Sequence, residues 1–340
     1  MLVFLSNEAT NAERERILDH LKRLNVPGFP TQFGGRSVFV VAEGSPFCSP
    51  GDSVFQEIAD LDGVDDVVPA SVPYPLCCLN LRPEGSVIRT LEFSVGNGSF
   101  GVIAGPCTVE SEEQTLETAR HVKAAGATAL RGGAFKPRTS PYSFQGLKEE
   151  GLRILAKARE ETGLAIVTEA MSSDEAKLVE EYADVIQIGT RNAQNYRLLE
   201  TCGRLQKPIL LKRGCSCSLD EFLMSAEYIL AGGNERVILC ERGIRTFENY
   251  VRYTLPIGSI PALKSLTHLP VVVDPSHAAG RADFVTSLAV ASTAAGADGL
   301  LVEVHPNPKR ALCDGRQSLN PEEFAAMFQA CLRVRMALPK

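Results

Sequence analysis

The sequence holds no apolar run near the ~18–20 residues that cross a bilayer, so a membrane-spanning helix is excluded. Its first residues, 1–11, form a short apolar strand pattern that turns acidic at once. The basic opening and long apolar stretch of a secretion signal are missing, so a cytoplasmic location is expected. No polybasic block is present, and the formal net charge is −6. Bulk electrostatics therefore disfavour a nucleic acid or an anionic membrane as partner. Ten cysteines occur, but no pair of CxxC pairs; Cys77-Cys78 and Cys215-Ser216-Cys217 stand isolated. Most of them read as free, small, buried side chains. Gly96-Asn97-Gly98-Ser99-Phe100-Gly101 has G-x-G-x-x-G spacing, yet a strand pattern follows it instead of a helix. That excludes a dinucleotide fingerprint and reads as a hairpin turn.

What is present is ordinary globular material, 44% hydrophobic and 22% charged, enough for one large core and one small one. Residues 1–70 read as a separate unit. Strand patterns at 2–5, 29–33, 37–41 and 64–69 interleave with helical spacing at 12–24 and 54–61. The order βαββαβ is ferredoxin-like. Residues 71–86, with Val72-Pro73-Tyr74-Pro75 and Pro83-Glu84-Gly85, break all periodicity and form a linker. From 87 to 340 the pattern changes. A strand pair, 87–95 and 99–104, flanks Gly96-Asn97-Gly98. Strand patterns at 100–105, 128–132, 165–169, 185–189, 208–212, 236–241, 270–274 and 298–304 then alternate with helices. Ser111 with Gln114, Ser172 with Glu175 and Ser218 with Glu221 mark helix starts. Eight such units over this length predict a (β/α)8 TIM barrel behind an N-terminal ferredoxin-like domain. A doubly wound open sheet is the competing architecture.

Active sites of such barrels lie at the C-terminal ends of the strands. Cations stand there in succession: Arg131, Lys136, Arg191, Lys212 and Arg242. A lone arginine at a strand end is usually a solvated residue. Five that converge repel one another unless an anion lies between them, and phosphate or carboxylate is the natural occupant. A concave site of this size suits small polyanions. Cys107, His277, Glu303 and Asp314 arise from the same rim, and all four are metal-ligand types. A mixed S/N/O set suits a borderline divalent metal ion, Mn, Fe, Co or Zn. Their spacing is not local, so His277 as a barrel-end hydrogen-bonding residue and Glu303 as an arginine partner stay open.

The motifs Ala104-Gly105-Pro106-Cys107, Lys136-Pro137-Arg138-Thr139-Ser140-Pro141, Gly189-Thr190-Arg191-Asn192, Leu211-Lys212-Arg213-Gly214, Cys240-Glu241-Arg242-Gly243 and Val273-Asp274-Pro275-Ser276-His277 carry a resemblance. Over about 87–338 the chain resembles the 3-deoxy-7-phosphoheptulonate (DAHP) synthases. The likeness is to the type I beta subgroup, related to 3-deoxy-manno-octulosonate 8-phosphate synthase. The resemblance implies metal-dependent condensation of phosphoenolpyruvate with erythrose 4-phosphate, the first step of the shikimate pathway. It implies Cys107, His277, Glu303 and Asp314 as metal ligands. Arg131, Lys136, Arg191, Lys212 and Arg242 would hold phosphoenolpyruvate, and Arg138, Thr139 and Ser140 the sugar phosphate. It also implies a homotetramer, and for residues 1–70 a regulatory module that binds an aromatic amino acid and covers the barrel mouth. An oligomer contact without a ligand is the other reading of that module.

The chemistry needs a polarised aldehyde, since phosphoenolpyruvate is a weak carbon nucleophile, and a Lewis-acidic ion provides it. An acid/base must handle the water that adds at C2. Glu169 and Lys136 are the candidates by position, Lys136 on the expectation that neighbouring arginines lower its pKa. His305, two residues past Glu303, is expected to orient a ligand. The octulosonate synthases, which act on arabinose 5-phosphate, resemble Lys-Ala-Asn-Arg-Ser where this chain has Lys136-Pro137-Arg138-Thr139-Ser140. Pro137 and Thr139 favour the four-carbon sugar. A catalytically dead scaffold is disfavoured by the intact cation and ligand sets.

Overall fold

The computed structural model describes residues 1–26, 28–41, 53–70 and 72–338. Of the expected module and linker, residues 27, 42–52 and 71 lie outside these, as do 339–340 of the expected barrel stretch. Among the described residues no helix is long and apolar enough to cross a membrane, and nine cysteines are free.

The N-terminal module runs β1 (Leu2–Leu5), α1 (Asn11–Arg23), β2 (Gly28–Phe33), β3 (Arg36–Val41), α2 (Ser53–Ala59) and β4 (Val64–Val68). Its antiparallel sheet has the order β2-β3-β1-β4, as expected for βαββαβ. The β2–β3 turn closes on Gly34 and Gly35 at φ 61° and 74°, a conformation that side chains resist. All four residues of β1 are buried. Val3 and Leu5 pack with Ile17, Leu21 and Ile58 of the helices. Leu2 and Phe4, on the other face, join the large core with Tyr74, Leu76 and Cys77. Covering on both faces explains why this antiparallel strand is continuously apolar instead of alternating.

The barrel is closed and parallel: β7 (Gly101–Gly105), β8 (Ala129–Arg131), β9 (Ala165–Ala170), β10 (Val185–Ile188), β11 (Ile209–Lys212), β12 (Val237–Glu241), β13 (Val271–Val273) and β14 (Gly299–Glu303), which pairs back onto β7. Ahead of it β5 (Ile88–Thr90) and β6 (Phe93–Val95) pair with each other. The helices are α3 (Glu112–Ala124), α4 (Glu149–Thr162), α5 (Ser173–Tyr182), α6 (Tyr196–Gly203), α7 (Leu219–Ala231), α8 (Ser259–Leu266), α9 (Pro275–Ala279), α10 (Ala282–Ala294) and α11 (Pro321–Ala337).

Strand alternation sorts the barrel into two cores. Ile103, Ala129, Val167, Val185, Leu210, Ile238, Val272 and Leu301 fill the interior. Their neighbours, such as Val102, Leu130, Ile166, Leu211 and Val273, pack outward in the large core shared with the helices. Ile88, Phe93 and Val95 join the interior set and plug the barrel from below. Here the structure differs from the expected long strand over 87–95. The chain reverses at Leu91, whose φ of 49° gives no warning in the sequence. Gly101 admits the plug: a Cβ there would lie 2.7 Å from the Phe93 ring.

The module rests on the flank and lower end of its own barrel. Thr31 Oγ1 donates to the Ala231 carbonyl at 2.8 Å, and Gly34 N donates to Glu235 Oε1 at 2.6 Å. Phe33 meets the His268 ring edge-on at 6.0 Å. These partners lie at the N-terminal ends of β12 and β13, away from the mouth. Within one chain the module therefore does not cover the mouth as expected. Its apolar outer face is already taken up by the linker and the barrel flank.

Candidate active site

The parity that makes the interior core also builds the site. Stepping two residues on from Ala129, Val167, Val185, Leu210, Cys240, Val272 and Leu301 gives Arg131, Glu169, Gln187, Lys212, Arg242, Asp274 and Glu303. Each sits at the C-terminal end of its strand and turns toward the axis. The opposite parity holds Arg213 and Glu241, which pair with each other at 2.6 Å outside the barrel. Arg213 is thus a structural partner, although it adjoins Lys212 at the rim.

Arg131, Glu169, Gln187, Lys212 and Arg242 of the inward set floor a cavity of about 570 Å³ at the mouth. Eight cations line it: Arg131, Lys136, Arg138, Arg191, Lys212, Arg242, Arg245 and Arg252. Arg131, Lys136, Lys212 and Arg242 are buried, whereas Arg191, Thr139 and Ser140 lie at the exposed lip. Arg191 Nη2 donates to Thr139 Oγ1 at 3.4 Å. The Arg242 guanidinium stacks on the Tyr253 ring, 3.9 Å from its centre. Glu169 accepts from Gln187 Nε2 at 3.1 Å. Gly189 makes room for it, because a Cβ there would lie 2.0 Å from Glu169 Oε1.

At one side of the floor Cys107, His277, Glu303 and Asp314 offer ligand atoms that all lie within 4.8 Å of one another. Asp274 orients the histidine: it accepts from the His277 backbone N at 2.9 Å and bonds His277 Nδ1 at 2.7 Å. Lys212 Nζ lies 2.5 Å from the same carboxylate. Burial pushes the Asp274 pKa up, but His277 and Lys212 outweigh it and hold the carboxyl well below its usual range. Burial pushes the His277 imidazole down, so it stays neutral. With the ring proton on Nδ1 toward Asp274, the Nε2 lone pair faces Glu303 Oε1 at 3.4 Å and Asp314 Oδ2 at 3.7 Å. When both carboxylates are ionised, all three of these atoms are acceptors. Glu303 Oε1 is buried and makes no directed hydrogen bond, but Arg131 Nη1 lies 3.2 Å away as its ion-pair partner, so Glu303 is an arginine partner as well as a cluster member. Burial pushes the Glu303 carboxyl up to about 7. A divalent cation among these donors resolves the conflict, so the residues fit one.

Cys107 Sγ lies 3.2 Å from Cys313 Sγ and 3.4 Å from Asp314 Oδ2. The Cys313 contact and burial raise the Cys107 thiol well above its usual pKa. A bound cation would displace that proton, because a coordinating thiol is deprotonated outright. Lys136 Nζ donates to the Cys107 carbonyl at 2.9 Å and to Cys107 Sγ at 3.2 Å. The expected lowering of the Lys136 pKa does not occur. Burial pulls it down, but the charges of Cys107, Cys313 and Glu169 outweigh burial and the neighbouring Arg131, and raise it.

His305 does not touch the cluster as expected. Its Nε2 faces Glu110 Oε2 at 3.4 Å, and Glu110 Oε1 accepts from Leu312 N at 2.8 Å. It braces the loop that carries Cys313 and Asp314. Sequence reading missed Gln187 and the part of Asp274, which strand parity would have found. It also missed Arg245, Arg252, Cys313 and Gln317, which come from loops without periodicity.

Comparison with known proteins follows this geometry. The model of the DAHP synthetase I family matches residues 84–336. The phospho-2-dehydro-3-deoxyheptonate aldolase of Thermotoga maritima is 50% identical over 285 residues, 84% of each chain. A 2-dehydro-3-deoxyphosphooctonate aldolase of Syntrophobacter fumaroxidans is 32% identical, over 71% of this chain and 89% of its own. The crystal structure of a Thermotoga maritima phospho-2-dehydro-3-deoxyheptonate aldolase (DAHP synthase) superposes with a TM-score of 0.78 at 44% identity, covering 99% of this chain and 97% of that one. With the barrel, its mouth and these likenesses in agreement, the chain belongs to the DAHP synthetase I family.

Proposed function

We propose that this enzyme condenses phosphoenolpyruvate with erythrose 4-phosphate, giving 3-deoxy-D-arabino-heptulosonate 7-phosphate and inorganic phosphate. The carrying observation is the mouth itself, where eight cations line one cavity and a four-donor cluster opens into it through His277 and Asp314. Two phosphorylated substrates bring three anionic groups, and a cavity of about 570 Å³ suits them. The 50% likeness to a heptonate aldolase, against 32% to an octonate aldolase, supports the four-carbon sugar. Pro137 and Thr139 support it too.

The buried cations Arg131, Lys136, Lys212 and Arg242, with Arg191 at the lip, take the phosphate and carboxylate of phosphoenolpyruvate. Arg138, Thr139 and Ser140 take the sugar phosphate. Both anions are thereby aligned for attack of the enol carbon on the aldehyde. Cys107, His277, Glu303 and Asp314 hold a divalent ion (Mn, Fe, Co or Zn), which when bound polarises the aldehyde oxygen. A new carbon–carbon bond forms, water adds at C2, and phosphate leaves with the bridging oxygen. Glu169, on the floor beside Gln187, takes the proton of that water. Lys136, held beside the Cys107 carbonyl and Sγ, serves as an aligning cation.

The chain is read as three parts: a regulatory domain at 1–70, a linker at 71–86 and the catalytic barrel at 87–340. The regulatory domain binds an aromatic amino acid. Since it rests on the flank of its own barrel, its control passes through the linker or between subunits of a cytoplasmic homotetramer. The test of the central reaction is product formation from phosphoenolpyruvate with erythrose 4-phosphate and, separately, arabinose 5-phosphate. Turnover confined to the four-carbon sugar is expected. Preference for the five-carbon sugar would move the enzyme to the octulosonate activity.

A further inference from the structure

Two side chains that no motif announces stand behind the four-donor cluster. Gln317 closes the short 3-10 turn Gly315–Gln317 and is only 2% exposed. Its Nε2 donates to Glu303 Oε2 at 2.6 Å, and its Oε1 accepts from Arg252 Nη1 at 2.9 Å. The same Arg252 nitrogen lies 3.4 Å from Asp314 Oδ1. A chain of polar contacts thus runs from one carboxylate of the cluster to the other. Its direction is fixed by chemistry. With the amide turned over, its NH2 would meet a guanidinium and its oxygen a carboxylate.

Gln317 and Arg252 tie one oxygen of each carboxylate. The other points inward: Glu303 Oε1 lies 3.4 Å from His277 Nε2 and 3.2 Å from Arg131 Nη1, and Asp314 Oδ2 accepts from Cys107 Sγ at 3.4 Å. Arg252 is itself held by the backbone. Its N donates to the Ala279 carbonyl at 3.2 Å. Gly280, at φ 69°, leaves it space, since a Cβ there would lie 2.4 Å from Arg252 Cβ. Asp314 sits at φ 51°, a conformation a non-glycine residue holds only against some strain, and the Arg252 contact helps to keep it there.

We propose that Gln317 and Arg252 are positioning residues for the metal cluster. They hold one oxygen of Glu303 and one of Asp314 outward, so each carboxylate offers a single oxygen to a divalent cation. This rests on reading the cluster as a metal site. Losing such outer partners typically weakens metal affinity by ~10–100-fold, because the ligand loses its orientation.

The test uses the full-length protein, stripped with a chelator and titrated with Co(II). The thiolate-to-cobalt absorption band reports Cys107 ligation, and the visible bands report the number of ligands. Arg252→Gln and Gln317→Glu are each expected to weaken Co(II) affinity by about tenfold or more, and to change the visible bands. The KM for phosphoenolpyruvate should stay within about twofold in Gln317→Glu, because Gln317 acts through Glu303. Arg252→Lys should recover part of the affinity. Thermal melting of the metal-free forms separates lost positioning from lost folding. If Gln317→Glu unfolds, Arg252→Gln decides, since that side chain is 37% exposed. Wild-type affinity and spectrum in both variants would overturn the proposal while leaving the metal reading intact. Absence of the thiolate band in the wild type would overturn both.

Discussion

The two ends of one barrel treat a histidine in opposite ways. At the lower end His268 has both ring nitrogens engaged, Nδ1 with Ser86 Oγ at 2.7 Å and Nε2 with the Leu76 carbonyl at 2.8 Å. Around it the interior is plugged by Phe93 and Val95. At the mouth His277 has one nitrogen on Asp274 and aims the other at two carboxylates. Among the described residues seven buried side-chain polar atoms lack a hydrogen-bond partner, and four of them belong to Arg131, Arg242 and Glu303. The same strands supply both ends. At the lower end His268 is fully satisfied and Ser94 Oγ is the one unpartnered buried atom of the plug among the described residues. At the upper end Arg131 Nη1 and Glu303 Oε1 have only each other, at 3.2 Å, and Arg131 Nε and Arg242 Nε have no hydrogen-bond partner, which is where local rules of stability are expected to fail.

Substitutions at the two ends should therefore separate activity from stability. The largest effect is expected from Glu303→Gln. It removes an inward-facing anion from the cluster, so kcat/KM should fall by about 10³-fold or more, some 4 kcal/mol. The metal-free protein should lose some stability too, because Glu303 is also the buried partner of Arg131 Nη1 at 3.2 Å. Steady-state kinetics and calorimetry check the two halves. The converse is Phe93→Ala at the lower end. Emptying the plug should cost about 3–5 kcal/mol of stability, read by denaturant unfolding, while Co(II) affinity at the mouth stays unchanged. A matching loss of metal affinity would show that the ends are not independent.

A pH experiment sharpens the contrast. Burial pushes the His268 pKa down to about 4 from 6.5. The unfolded chain then binds the extra proton first as pH falls. This residue's contribution is complete above pH 6.5 and fades as pH drops toward 4, by up to about 3 kcal/mol. Its NMR resonance should remain that of a neutral imidazole at pH 5; titration near 6.5 would contradict the burial argument. The smallest effect is expected at Gly189→Ala, whose methyl would displace the Glu169 carboxylate. A rate loss of about tenfold, near 1.4 kcal/mol, should come with almost no change in melting, since only the end of one side chain must move.

Much of this was legible in the sequence because periodicity carried it. All eight barrel strands and the βαββαβ module follow from apolar spacing. The inward set from Arg131 to Glu303 follows from parity once the strands are placed. Parity also separates Lys212 in the cavity from Arg213 outside it, a distinction that the bare motif hides. What escaped notice lies where periodicity stops. Arg252 and Gln317 sit in loops, and only the packing of Gly280 and the turn at Gly315–Gln317 brings them behind the cluster. The reversal at Leu91 and the turning of His305 toward Glu110 depend on tertiary neighbours. So does the Lys136 pKa, which is set by sulfur atoms and a carboxylate that distant segments bring beside it.

The most direct test of the account is metal dependence of the condensation itself. The protein would be stripped with a chelator, metal removal verified, and phosphoenolpyruvate consumption followed with erythrose 4-phosphate before and after adding manganese. The account predicts negligible consumption in the stripped protein and recovery on adding the ion. Undiminished consumption after verified removal would contradict the assignment of Cys107, His277, Glu303 and Asp314, and with it the central reading of the mouth.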